Sequence, residues 1–399
     1  MERRTRAPVS TIVHPNNLIG AMASAGYTLA DMAPAYPGRD ETYIDQVLRD
    51  NALALSRPVI AYGLLGIHPC RSRYFNIADA GFRSNGDAQP WPPAREPTSV
   101  YFFGGSTALG YNVEDRDTLS AALQRHMAGR GIDSAVYNFG SGNYTSRHAL
   151  LRFIDIVDSG ITPDVAVFLN GFNDCFYAYG NRQLIDALDA LFQKEKARRR
   201  MSLIPRLIDH VRAAGRGRDA DLPTGIRYSV EDNDETRFFT DDAAIERALS
   251  SRPGHKRFDF PDGPAAAFAR HAWRQYLDSV AMTRAMAAAH KIRTVFVWQP
   301  VPLFATLPEQ RIMDRLFSIF RSAALCAPVY DWLEHTEFPG MGGAGDFLDL
   351  SRAGEGLGGV LYLDLCHYTG RFNDALAARI AEFLFAKGLV GGRPTGQVK

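Results

Sequence analysis

Ser106 closes an apolar run, and Asp364 and His367 lie three apart near the far end of this 399-residue chain. Side chains of these three types are the parts that nucleophilic acyl transfer needs. A serine hydroxyl attacks a carbonyl well only when a base takes its proton. An imidazole does this near neutral pH. A carboxylate on the other ring nitrogen holds the tautomer and stabilises the imidazolium. The Asp-x-x-His spacing lets carboxylate and ring share one tight turn, with the second ring nitrogen free for the serine. The attack creates an oxyanion, which needs donors already in place. Two more polar stretches can supply them. NFGSGNYTS (138–146) offers backbone N–H groups, and NGFNDC (170–175) offers the Asn173 amide.

Each of these stretches alone is ordinary turn chemistry. Their order and setting raise the signal, because each strand-like run ends in one of them. TSVYFFGG (98–105), DSAVYNFG (133–140) and PDVAVFLNG (163–171) read as strands, the last buried on both faces. Between them, DTLSAALQRHMAGRG (117–131) reads as a helix capped by Asp117, and TSRHALLRFIDIVDSG (145–160) as a second helix. Further on, RTVFVWQPVP (293–302) reads as a fourth strand, MDRLFSIFRSAAL (313–325) as a helix and APVYDWL (327–333) as a fifth strand. YTGRFNDALAARIAEFLFAKG (368–388) closes the pattern as a helix. Strand–helix alternation implies a parallel sheet with helices on both faces: an α/β fold, a three-layer α/β/α sandwich with a flavodoxin-like central sheet. Sites in such sheets lie at the carboxyl ends of the strands.

The Gly-x-Ser-x-Gly elbow of α/β-hydrolases is absent, since Gly104-Gly105-Ser106-Thr107-Ala108 lacks its second glycine. The four blocks instead resemble those of the SGNH/GDSL hydrolase family, from Phe102 to His367. That resemblance implies an esterase acting through an acyl-serine intermediate, with Ser106 as nucleophile, His367 as base and Asp364 as its orienting carboxylate. It implies an oxyanion hole from the Ser106 N–H, the Asn173 amide of the Gly171-Phe172-Asn173-Asp174 block, and a backbone N–H at Gly142 or Asn143. The family's second glycine, counted from Asn138, falls on Asn143, with Gly142 one residue early. Gly105 stands where the family commonly has Asp. By the same resemblance the substrate is a small-molecule or carbohydrate ester, such as a short acyl or O-acetyl ester. Acyl transfer to a sugar acceptor is the alternative, and a non-catalytic binding or scaffold protein on the same fold is a second one.

Other residues carry weaker signals. His148 reads as a capping or surface histidine before a substrate contact. Cys175 and Cys366 flank site residues and read as small buried thiols, with a redox pair as the competing expectation. The glycine-rich stretches GMGGAGDF (340–347) and GEGLGG (354–359) read as a loop beside the site, either lid or plain connection. No histidine pair has ligand spacing, so neither metal nor cofactor is expected.

The remainder sets the frame. Residues 1–95 read as an N-terminal extension packed on a main domain spanning 96–390, with RYFNIADAGFRSN (73–85) at its rim. An insertion occupies about 180–264. Within it, residues 193–218 hold nine Lys/Arg and two acidic residues. They read as a solvated amphipathic helix, with contact to an anionic membrane surface as the sharper expectation. Lys+Arg 45 against Asp+Glu 44 leaves a formal net charge of +1, which gives no electrostatic case for nucleic acid. Four cysteines without Cys-x-x-Cys spacing argue against a zinc site or disulfide framework. With no convincing signal h-region and no long apolar run, a cytoplasmic location is the expectation.

Overall fold

The apolar runs of the sequence become strands because their side chains alternate between two apolar layers. The computed structural model describes residues 28–55, 58–61, 64–87, 89–94, 98–178, 264–302, 326–341, 345–364 and 366–390. In chain order its elements are α1 (Leu29–Met32), α2 (Glu41–Leu55), β1 (Pro58–Ala61), β2 (Leu64–Ile67), β3 (Thr98–Gly104), α3 (Ser106–Leu109), α4 (Leu119–Ala128), β4 (Ser134–Asn138), α5 (Ser146–Asp158), β5 (Val165–Asn170), α6 (Phe172–Tyr177), α7 (Pro264–Ala289), β6 (Arg293–Trp298), α8 (Ala327–Thr336), β7 (Phe347–Asp349) and α9 (Gly370–Ala386).

Five strands form one sheet in the order β4-β3-β5-β6-β7, all parallel. This is the flavodoxin-like order, with the first strand of the unit, β3, flanked by the next two. Successive side chains on a strand point to opposite faces. On β3, Tyr101 and Phe103 join an aromatic layer with Phe168, Phe296 and Trp298, covered by α5, α7 and α8. Val100 and Phe102 join an aliphatic layer with Val167, Leu169 and Val297, covered by α4 and α9. Both faces are thus dry, which is why these strands read as unbroken apolar runs. Burying each large side chain contributes about 1.5–3 kcal/mol before cavity effects.

Residues 28–94 also support the site loops. Met32, Tyr36, Ile44, Val47 and Leu48 pack against Val113 and Leu363, and the Tyr36 hydroxyl donates to the Asn112 carbonyl at 2.6 Å. The 73–85 stretch is only partly at the surface: Arg73 and Asp79 are exposed, whereas Phe75 and Arg83 are fully buried. Arg83 pairs with Asp115 at 3.0 Å and donates to the carbonyls of Gly110 and Val113. Its buried charge is matched by a carboxylate and carbonyl dipoles, as a buried guanidinium requires.

Three sequence expectations need correction. APVYDWL is not a strand but the first turns of α8. Its Val329, Tyr330 and Leu333 are buried at i, i+1 and i+4 spacing, and Pro328 sits in the first turn, where it costs no hydrogen bond. The fifth strand is β7, which starts at the last residue of the 340–347 stretch read as a loop; its register places Leu348 opposite Val297. The cap of α4 is Thr118 and not Asp117: the Thr118 hydroxyl accepts from the Ala121 N–H. The 313–325 helix and the basic stretch 193–218 lie outside the described residues, as do nearly all positions of the 180–264 insertion. Among the described residues, no helix is long and apolar enough to cross a membrane.

Candidate active site

The turn after β3 explains the double glycine before Ser106. A Cβ on Gly104 would lie 2.2 Å from the Leu169 carbonyl oxygen of β5. A Cβ on Gly105 would lie 2.6 Å from Asn173 Nδ2 and 3.1 Å from the Tyr144 carbonyl oxygen. Only a chain without side chains here lets β3 hug β5 and brings the Asn173 amide beside the residue preceding Ser106. Ser106 then opens α3 at the carboxyl edge of the sheet, with 8% of its surface exposed. Its N–H lies in a helical first turn, where N–H groups have no intrahelical acceptor.

The other two members of the trio arrive on the turn before α9. Leu363 N–H donates to the His367 carbonyl at 2.7 Å and closes that turn. Thr369 caps α9 through its hydroxyl, which accepts from Phe372 N–H, and Phe372 and Leu376 anchor the helix in the aliphatic layer. Asp364 Oδ1 accepts the N–H groups of Cys366 and His367 at 3.0 and 2.9 Å. Its Oδ2 stands 2.6 Å from His367 Nδ1, and His367 Nε2 stands 2.7 Å from Ser106 Oγ. A proton on Nδ1 faces the carboxylate, so Nε2 is the acceptor for the serine hydroxyl. Burial pushes the Asp364 carboxyl upward, but the His367 charge and the hydrogen bonds from His367 and Cys366 outweigh it. The net result holds Asp364 below the ordinary carboxylate value. The potential ligand atoms of Asp364, Cys366 and His367 also lie within 4.8 Å of one another, but both ring nitrogens of His367 are already engaged.

An aromatic wall completes this side. Tyr111 stacks on the His367 ring with centroids 4.9 Å apart and planes at 25°. A Cβ on Gly142 would lie 2.2 Å from the Tyr111 hydroxyl oxygen, so glycine at 142 makes room for that ring.

The remaining candidate donors sit on two loops. Asn173, on α6, is half-buried and donates one amide N–H to the Tyr144 carbonyl at 2.9 Å, which leaves its second N–H uncommitted by that bond. Asn143 is exposed and has φ +61°, the left-handed conformation that Asn tolerates better than most residues. His148 is a cap: its Nδ1 lies 2.9 Å from Thr145 Oγ1, and burial, then Arg147, lower its basicity. The thiol neighbour of Cys175 is Cys326 and not Cys366, and all three are buried and unbridged. Sequence reasoning missed Tyr111, Arg83 and Asp174. The first two carry no local signal; the third stands inside the NGFNDC block itself.

No protein-family model and no curated protein matches the chain. Solved structures that resemble it include the lipase/acylhydrolase from Enterococcus faecalis, at 13% identity over 75% of this chain and 100% of that one, with a TM-score of 0.32. A catalytic mutant of Axe2, an acetylxylan esterase from Geobacillus stearothermophilus, aligns at 14% identity over 74% and 97%, with a TM-score of 0.32. The psychrotrophic esterase EstA from Pseudoalteromonas sp. aligns at 12% identity over 73% and 99%, with a TM-score of 0.31. At such scores these likenesses decide nothing about chemistry, which rests on the side chains themselves.

Proposed function

We propose that this chain is a serine esterase of the SGNH type, acting on short acyl esters, including O-acetyl groups on carbohydrate, through an acyl-serine intermediate. The observation that carries the reading is the unbroken relay Ser106 Oγ to His367 Nε2 (2.7 Å) and His367 Nδ1 to Asp364 Oδ2 (2.6 Å). Ser106 Oγ attacks the ester carbonyl carbon while its proton passes to Nε2. Asp364 stays ionised and stabilises the imidazolium. The tetrahedral oxyanion collapses and expels the alcohol, which takes the proton from Nε2. Water then repeats the sequence on the acyl-serine, with His367 again as base, and releases the acid.

The oxyanion donors are the Ser106 N–H, the second N–H of Asn173 Nδ2 and a backbone N–H of the 142–143 loop. Asn143 is assigned the last role, because it occupies the position of the family's second glycine and carries the left-handed backbone a glycine would take. The short-acyl part of the reading comes from the family resemblance.

The test uses p-nitrophenyl acetate, butyrate and octanoate with wild type and Ser106→Ala. The expected result is turnover that falls with acyl length and vanishes in the variant, together with fluorophosphonate labelling of the wild type alone. A folded wild type that neither labels nor turns over any ester overturns the reading.

A further inference from the structure

Asp174 is a buried carboxylate that the relay does not use. It stands next to Asn173, and its oxygens reach two different loops. Oδ1 accepts both the Ser146 N–H at 2.9 Å and the Ser146 hydroxyl at 2.6 Å. Oδ2 accepts the Gly171 N–H at 3.2 Å. Ser146 opens α5, directly after the loop of Asn143 and Tyr144. Gly171 is the residue between β5 and α6, directly before the turn of Asn173. One side chain therefore ties the two loops that hold the side-chain and backbone oxyanion donors. A second polar tie between those loops is the Asn173 amide on the Tyr144 carbonyl.

We propose that Asp174 is a positioning residue, whose ionised carboxylate clips the 142–146 loop to the 171–174 turn and so sets the spacing of the oxyanion donors around Ser106. This inference rests on the esterase reading of the site. An ionised carboxylate suits the job because it accepts at both oxygens at once. An amide accepts at one and presents N–H at the other, so Asn at this position faces either Ser146 or Gly171 with a donor against a donor.

The choice of a carboxylate comes at a thermodynamic cost. Burial pushes Asp174 up to about 6, although the bonds from Ser146 and Gly171 pull the other way. The titratable groups facing it are Cys175 on its own helix and Tyr276 from α7, and burial keeps both neutral across this range. The sign follows. A carboxyl raised above its unfolded value stabilises the fold most when protonated, and that contribution is lost as pH rises through about 6. The clip works in the opposite direction, formed above about pH 6 and lost below it.

The test compares Asp174→Asn and Ser146→Ala with wild type on p-nitrophenyl acetate between pH 5 and 9, alongside thermal unfolding. At pH 8 the expected result for Asp174→Asn is kcat lowered about 10- to 100-fold, KM changed less than about 3-fold, and no loss of melting temperature that tracks the loss of rate. Ser146→Ala, which removes one of the two donors on Oδ1, is expected to lower kcat by about 2- to 5-fold in the same pattern. In wild type, log kcat/KM should fall more steeply on the acid side than in Asp174→Asn, by the proton taken up on Asp174 as pH drops through about 6. Either variant keeping its wild-type kcat with an unchanged acid limb overturns the proposal, as does a loss of activity accounted for by the unfolded fraction. Those outcomes leave the esterase reading standing, whereas a wild type inert to ester and fluorophosphonate removes both.

Discussion

The two halves of the candidate site are built in different ways. On one side, Asp364 and His367 share a four-residue turn, and the carboxylate that orients the ring also accepts the N–H groups that shape the turn. The ring, its partner and their backbone form one local unit that docks on Ser106. On the other side, the candidate oxyanion donors besides the Ser106 N–H come from two loops that follow different strands, β4 and β5, which are not neighbours in the sheet. Those loops are held together by side chains, Asn173 on Tyr144 and Asp174 on Ser146. A local unit should fail only when a member is removed. A distributed one should also fail when the spacing of its parts is disturbed.

The largest effect should come from the local half. In Asp364→Asn the turn can persist, because an amide oxygen still accepts from the Cys366 and His367 N–H groups. The carboxylate opposite Nδ1 is gone, however, and the ring loses both its tautomer control and its charge partner. A drop of about 10⁴ in kcat is expected, with melting temperature little changed. A variant with more than a tenth of wild-type turnover would mean that the Asp364 carboxylate neither orients the His367 ring nor supports its charge.

Removing a donor from the distributed half should cost less. For Asn173→Ala we expect kcat to fall about 10²–10³-fold, the size seen when one oxyanion donor is deleted, with KM nearly unchanged. Single-turnover acylation with p-nitrophenyl acetate separates this from slower product release. An acylation rate equal to wild type would exclude the Asn173 amide from the oxyanion hole.

Spacing is tested without removing any donor by Gly105→Ala. The added methyl group meets Asn173 Nδ2 at 2.6 Å, so the amide must move by several tenths of an ångström. A loss of about 10-fold in kcat is the expectation, smaller than deletion because the N–H is shifted and not absent. The methyl also meets the Tyr144 carbonyl oxygen at 3.1 Å, so the same change presses on both loops. Unaltered kinetics in Gly105→Ala would show that the oxyanion side tolerates displacement, and would erase the contrast between the halves.

The same contrast explains what could be read in advance. The relay was legible because its geometry is written in short spacings: a strand-like run ending at Ser106, and Asp364 three residues before His367. The sheet core was legible because both of its faces are dry, so β3 and β5 appear as continuous apolar runs. The parts that escaped depend on partners far along the chain. Arg83 is buried only because Asp115 and the carbonyls after α3 are there to receive it. Tyr111 reaches His367 only because residue 142 is a glycine. β7 has three residues, too few to show a period, and the seven-residue run at the start of α8 is as compatible with a strand as with a helix until its neighbours are known. The departure at Asn143 was visible in the sequence, but its meaning needed a backbone angle.

That angle yields the smallest and most selective expectation. If Asn143 contributes through its N–H, its side chain is dispensable and only its φ of +61° matters. Asn143→Gly keeps both the donor and the backbone conformation, since glycine enters the left-handed region without steric penalty. Its kcat should stay within about two-fold of wild type. Asn143→Ala keeps the donor but pays about 1–2 kcal/mol to hold the same conformation, so the loop should be less stable and the melting temperature lower than in the glycine variant. Measured side by side, the two variants separate backbone from side chain. A large loss of kcat in Asn143→Gly would move the contribution to the asparagine amide itself, and would make this loop resemble the Asn173 side of the site.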